Sequence, residues 1–157
     1  MINIRESGPA DRAAIETCFS ELQAFERSIY SNRADPAAVT VTYVDYLFAE
    51  CAAHDGAILV AESEGGIVGF ICVICKLPVD NIYELDHEYA YISDLVVRES
   101  WRGQSIGAQL MRHGEDFAAS HGATRLRIGV LAANEGAHAL YRKLGFREYG
   151  ILLEKLL

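Results

Sequence analysis

The chain has 157 residues, a length that fits one domain with a single hydrophobic core, so residues 1–157 are read as one domain. Hydrophobic residues make up 51% and charged residues 23%, with only three prolines, which excludes a disordered or low-complexity chain. The net charge of -8 lacks the basic footprint of a general nucleic-acid binder.

Ile2 to Arg5 reads as a first strand. Ser7-Gly8-Pro9 opens a helix on which Ile15, Cys18, Phe19, Leu22, Phe25 and Ile29 form one apolar face. Asp35-Pro36 starts a second helix carrying Val44, Leu47, Phe48 and Cys51, although the β-branched run Val39 to Thr42 works against its front end. Ala57–Ser63 and Ile67–Leu77 are predicted strands joined by Glu64-Gly65-Gly66; the second is apolar on both faces and so central. Tyr89–Val97 is a strand, Ser105–His121 a helix, and Leu126, Ile128 and Val130 alternate as a half-buried strand. Asn134 caps a last helix that ends at Gly145, and Phe146–Leu157 supplies one or two closing strands. This order describes a single α/β (α+β) domain around one mixed sheet.

The longest apolar run, Ile67 to Cys75, is too short to cross a bilayer, and no basic segment precedes an apolar stretch at the N-terminus. Cys18, Cys51, Cys72 and Cys75 do not suggest a disulfide framework, and neither they nor the five histidines show metal spacing. Cys72 and Cys75 lie three apart in a strand and face opposite sides, which reads as core packing. The expectation is a cytoplasmic protein with no metal, membrane or nucleic-acid partner. Its charge is unevenly divided: residues 1–97 carry -11 and residues 98–157 carry +3. One half favours a cation and the other an anion.

The most informative stretch runs from Tyr91 to Leu110. A strand leads into a glycine-containing turn, Arg102-Gly103-Gln104-Ser105-Ile106-Gly107-Ala108, and the turn into a helix. Exposed backbone N–H groups and the helix start together form an anion cradle suited to a pyrophosphate. A Walker A loop would need Gly-Lys-Ser/Thr at its end, and Gly107-Ala108-Gln109 does not supply it. A Rossmann fingerprint needs three spaced glycines near the chain start. The second informative segment is Asn134 to Phe146, where Asn134 and Tyr141 lie about two helical turns apart on a similar face.

Together the two segments resemble the GNAT N-acetyltransferase superfamily. Its pyrophosphate pattern Gln/Arg-x-x-Gly-x-Gly/Ala is occupied by Arg102, Gly103, Gln104, Ser105, Ile106 and Gly107. Its later pattern, Asn-x-x-Ala-x-x-x-Tyr-x-x-x-Gly-Phe, is matched at Asn134, Ala137, Tyr141, Gly145 and Phe146. One departure is Ser105, which stands where the family usually has its middle glycine.

The resemblance implies a mixed, mostly antiparallel sheet of six to seven strands flanked by about four helices. It also implies acetyl-CoA as co-substrate and transfer to a primary amine of a small molecule or peptide through a tetrahedral intermediate. Leu95, Val96 and Val97 would lie on the strand that splays from its neighbour and pairs with the pantetheine arm. The N–H of Leu95 would serve the acetyl oxygen, the amides of Gly103 to Ala108 the pyrophosphate, and Asn134 the pantetheine. Tyr141 would be the general acid for the departing thiolate. The family's base positions fall at Tyr91, Ser93 and Gly129, none an obvious base. That leaves Glu84, Asp86, His87, Glu88, Asp94 or a water relay. Strand alternation places Ser93 and Asp94 on opposite faces. Glu84, Asp86 and Tyr91 are expected to meet a cationic acceptor. A homodimer through the closing strands is the expected assembly. A catalytically inactive acyl-CoA sensor is the alternative the missing base suggests, and a domain for another phosphate ligand is a third reading.

Overall fold

The computed structural model describes residues 1–157. In chain order the elements are β1 (Asn3–Glu6), a 3-10 turn (Pro9–Asp11), α1 (Arg12–Ile29), α2 (Pro36–Ala53), β2 (Ala57–Ser63) and β3 (Gly66–Pro78). They continue with β4 (Glu88–Val97), a second 3-10 turn (Glu99–Trp101), α3 (Ile106–Ser120), β5 (Leu126–Ile128) and α4 (Glu135–Lys143). The β-branched front of α2 is helical from its first residue. Asp35 accepts the amide of Ala37 at 2.9 Å and Pro36 presets the first turn, so the start is satisfied before Val39 to Thr42 are reached.

The strands lie in the order β1-β2-β3-β4-β5, antiparallel through β4, with β5 parallel to β4. Two apolar layers cover the sheet. α3 packs Leu110 and Met111 on one face, against Ile71, Val73 and Ile92. α1 and α2 cover the other face with Ile15, Phe19 and Leu47 against Ile58, Phe70 and Val96. β3 contributes to both layers, as its unbroken apolar run predicts. Cys72 belongs to the α1/α2 layer and Cys75 to the α3 layer, and all four cysteines are free and buried.

Two features of β4 set up everything that follows. Its pairing with β3 runs from Val97↔Gly69 to Asp94↔Cys72 and then jumps to Ile92↔Val73, so Ser93 is an extra residue in a β-bulge. The bulge shifts the side-chain phase. Ile92 faces α3 while Asp94 and Val96 are turned toward α1 and α2. The second feature is a splay: β4 and β5 pair only from Ala90↔Leu126 to Ile92↔Ile128. Beyond that point the two strands part.

The sheet has five strands rather than six or seven, because residues 146–157 form no strand. Phe146 donates its amide back to Tyr141, Glu148 pairs with Arg142 and His138, and the Tyr149 ring lies under the Arg127 guanidinium at 4.4 Å. These contacts tie the start of the segment to α4 and β5, and further along the Tyr30 hydroxyl donates to Glu154 at 2.7 Å, so side chains rather than a ladder hold it. Leu152, Leu153, Leu156 and Leu157 are consequently exposed.

Candidate active site

The turn before α3 is built to receive an anion. The first intrahelical bond of α3 runs from the amide of Gln109 to the carbonyl of Ser105 at 3.0 Å. The amides from Gly103 to Ala108 donate to no protein acceptor. An ordinary helix start leaves about four such groups; here the turn adds two more. Gly103 has φ +78, and a Cβ there would meet nothing within 4 Å, so the turn is open toward solvent. Ser105 is the N-cap with φ 60, a left-handed conformation that glycine adopts without strain. Its hydroxyl makes no cap bond, so its contribution is its backbone. Gly107 has a different reason: a Cβ there would press on Leu140 Cδ2 at 3.4 Å, so its absence lets α3 approach α4. Arg102 donates from Nε to the carbonyl of Val97 at 3.0 Å and lies over the Phe25 ring.

The gap beside the turn has free backbone edges. The amide of Arg98 donates to Val68 across the β3 side. By antiparallel alternation Val96 also bonds toward β3, while Leu95 and Val97 direct their N–H and C=O groups outward, toward the gap left by β5, with the Val97 carbonyl already accepting from Arg102. Asn134 caps α4 by accepting the amide of Ala137 at 3.1 Å, and its Nδ2 donates to no protein group. Tyr141 is 8% exposed within the α3-side core, and burial, with Asp94 and Glu26 nearby, pushes its phenol up to about 12. These groups lie on one side of the splay and match an extended thioester carrying a pyrophosphate: amides for the phosphates, a strand edge for an amide-bearing arm and a protonated phenol beyond.

On the other side of the splay is a cavity of about 570 Å³ between α1, α2, β4 and the chain leaving β5. This volume lies in the range of small-ligand sites. Phe19, Leu22 and Val39 give it apolar walls, while Glu26, Arg33 and Asp94 give it charge. Asp94 is 6% exposed and accepts a hydrogen bond from the Tyr43 hydroxyl at 2.8 Å. Burial pushes its carboxyl up to about 6, against the Tyr43 hydrogen bond that favours the charged form. Tyr43 is held far above its ordinary range by burial and by this carboxylate, so it remains a donor. The bulge brings Ser93 into the same cavity as Asp94, which corrects the expectation that they face opposite sides. The Ser93 hydroxyl is buried with no hydrogen-bond partner.

Tyr91 also lines this cavity, opposite Gly129, where a Cβ would come within 3.1 Å of the Tyr91 hydroxyl. The phenol thus fills the space a side chain at 129 would take. Glu84 and Asp86 are placed elsewhere. Glu84 pairs with Arg127 on β5, and Asp86 with Arg125 just before it, so both carboxylates are neutralised and neither lines the cavity. Tyr43, Glu26 and Arg33 carry no motif, and their helical or loop positions read as packing or solvated surface; only the packing of α1 and α2 on β4 reveals them. No group of three or more His, Cys, Asp or Glu side chains that could hold a metal ion is found, and no helix is long and apolar enough to cross a membrane.

The sheet is thus split between a turn of unpaired amides on one side and a cavity with a buried acid on the other. The model of the acetyltransferase (GNAT) family matches residues 16–146, and the chain belongs to that family of N-acetyltransferases. An uncharacterised N-acetyltransferase of Bacillus subtilis, YhfO, is 27% identical over 147 residues, covering 94% of this chain and 91% of its own length. A putative acetyl transferase from Pyrococcus furiosus superposes with a TM-score of 0.76 at 21% identity over 100% of both chains. A predicted acetyltransferase from Clostridium acetobutylicum, solved with acetyl-CoA, gives 0.75 at 17% identity over 99% of this chain and 96% of that one.

Proposed function

We propose that the chain transfers an acetyl group from acetyl-CoA to a primary amine of a small molecule or peptide, by direct attack through a tetrahedral intermediate. The observation that carries this reading is the pair of sites on either side of the splay, with unpaired strand edges of β4 between them. The amides of Gly103 to Ala108 hold the pyrophosphate, with Arg102 adding charge. Leu95, Val96 and Val97 present the strand edge to the pantetheine, and Asn134 adds its free Nδ2.

In this reading Asp94 takes the proton of the incoming amine. An alkylammonium is almost wholly protonated at pH 7 and has no lone pair, so a proton must leave before the amine attacks, and a second leaves once the C–N bond has formed. A carboxylate raised to about 6 is ionised at neutral pH and more basic than a solvated one. Tyr43 orients it, and Tyr91 and Ser93 line the path of the amine. The N–H of Leu95 faces the developing oxyanion. Tyr141, protonated at every working pH, donates its phenolic proton to the departing thiolate. The presence of a buried acid favours this enzyme over an inactive acyl-CoA sensor.

The test is release of free CoA from acetyl-CoA in the presence of an amine panel, compared with calorimetric binding of CoA alone. Binding without release for every amine would leave only the sensor. The same proposal has the enzyme act in the cytoplasm and as a homodimer, to which the exposed tail from Ile151 to Leu157 would contribute; light scattering checks the assembly.

A further inference from the structure

The cavity that holds Asp94 carries a second polar group. Glu26 lies in the last turn of α1 and Arg33 in the loop that follows, and both line the cavity. Arg33 Nε is buried without a hydrogen-bond partner; it lies 2.9 Å from Glu26 Oε2, but its N–H is not directed at that oxygen. No other nitrogen of Arg33 donates a hydrogen bond within the protein, and the guanidinium rests over the Tyr30 ring at 5.8 Å. A planar fork of donors held against an apolar wall and lacking acceptors is matched by a carboxylate. Glu26 beside it offers an acceptor to a cation. Asp94 is a separate carboxylate, close enough to feel both charges.

Three charges line this one cavity, the Asp94 carboxylate and the minus–plus pair of Glu26 and Arg33, and they are complementary to a molecule bearing plus at one end and a zwitterion at the other. We propose that the acceptor is a free α-amino acid carrying the reacting amine on its side chain, a lysine- or ornithine-like diamino acid. Its α-carboxylate sits on Arg33, its α-ammonium on Glu26 and its side-chain amine at Asp94. The methylene stem crosses the apolar stretch formed by Phe19, Leu22 and Val39. This inference rests on the transferase reading and names the substrate of the same site. A diamine lacks the group that Arg33 reads, and a lysine within a peptide lacks both charges of the zwitterion.

The experiment compares initial rates with L-lysine, L-ornithine, cadaverine, 6-aminohexanoate and lysine blocked at both ends. A lost charge-assisted bond corresponds to about 10- to 100-fold in kcat/KM. Lysine or ornithine is expected to exceed cadaverine and blocked lysine by that factor. Arg33→Gln is expected to abolish the advantage while leaving cadaverine within about threefold. Glu26→Gln is expected to lower lysine but not 6-aminohexanoate, which has no α-amine. Equal rates for lysine and cadaverine in the unaltered enzyme, or a uniform loss for all acceptors in Arg33→Gln, would overturn the proposal. If no amine releases CoA, the transferase reading fails by itself, and calorimetry on the CoA-saturated protein then decides this one. Nε-acetyl-lysine binding more tightly than N-acetylcadaverine, with the difference lost in Arg33→Gln, supports it; equal binding rejects it.

Discussion

The two sides of the splayed sheet are built by different means. The turn before α3 offers main-chain amides that any residue can present, and its side chains matter chiefly for the backbone angles they permit. The cavity under α1 and α2 offers side chains, Asp94, Tyr43, Arg33 and Glu26, which come from distant parts of the chain. The first arrangement suits a co-substrate common to a whole family. The second suits an acceptor that differs between members, because a few side chains can be exchanged without rebuilding the sheet.

The sharpest way to break this contrast is at Tyr141, to which the proposal gives the role of acid in the reaction rather than a hold on either ligand. Tyr141→Phe is expected to lower kcat by about 100- to 10,000-fold while leaving the Kd for CoA nearly unchanged, as measured by calorimetry. Unaltered turnover would remove the phenol from the mechanism. Asp94→Asn comes next, with an expected loss of about 100-fold in kcat and disappearance of the acid limb near pH 6 in the rate profile.

The same variant has a stability signature. Folding raises the proton affinity of Asp94, so its contribution to stability is fully present below about pH 4 and is lost as pH rises through about 6. At pH 7.5 the neutral amide therefore stabilises the fold, on the order of 2 kcal/mol, and raises Tm by several degrees. An enzyme that becomes less active and more stable by one substitution places strain at the acceptor side. A drop in Tm would show that the Tyr43 contact outweighs the burial of charge.

Smaller effects are expected in the cradle. Gly103→Val puts a branched side chain at φ +78 and is expected to weaken CoA binding by about 10-fold without changing the acceptor KM. Ser105→Gly should do the reverse of damage. It removes a left-handed strain of about 1 kcal/mol, raises Tm by a few degrees and leaves CoA affinity intact. Weaker CoA binding in Ser105→Gly would mean that the hydroxyl itself touches phosphate.

The residues proposed for the cofactor group together in the sequence because they are local. Arg102 to Ala108 form one turn, and Asn134 and Tyr141 lie on one short helix, so spacing alone groups them. Those proposed for the acceptor do not. Strand alternation separates Ser93 from Asp94, and only the bulge opposite Cys72 and Val73 brings them together. The acidic loop reads as a cation site, yet Glu84 and Asp86 find Arg127 on β5 and Arg125 just before it, more than thirty residues away. The apolar tail reads as a strand, but it forms no ladder and is held by side-chain contacts instead.

The sequence by itself determined the helices, the central strand, the amide cradle and the family, since each rests on periodicity or on residues within one turn or helix. The tertiary structure decided where the sheet parts, which carboxylate is buried and which are neutralised. Those depend on strand register and on charges meeting across the fold, and neither quantity is a property of any short stretch of chain.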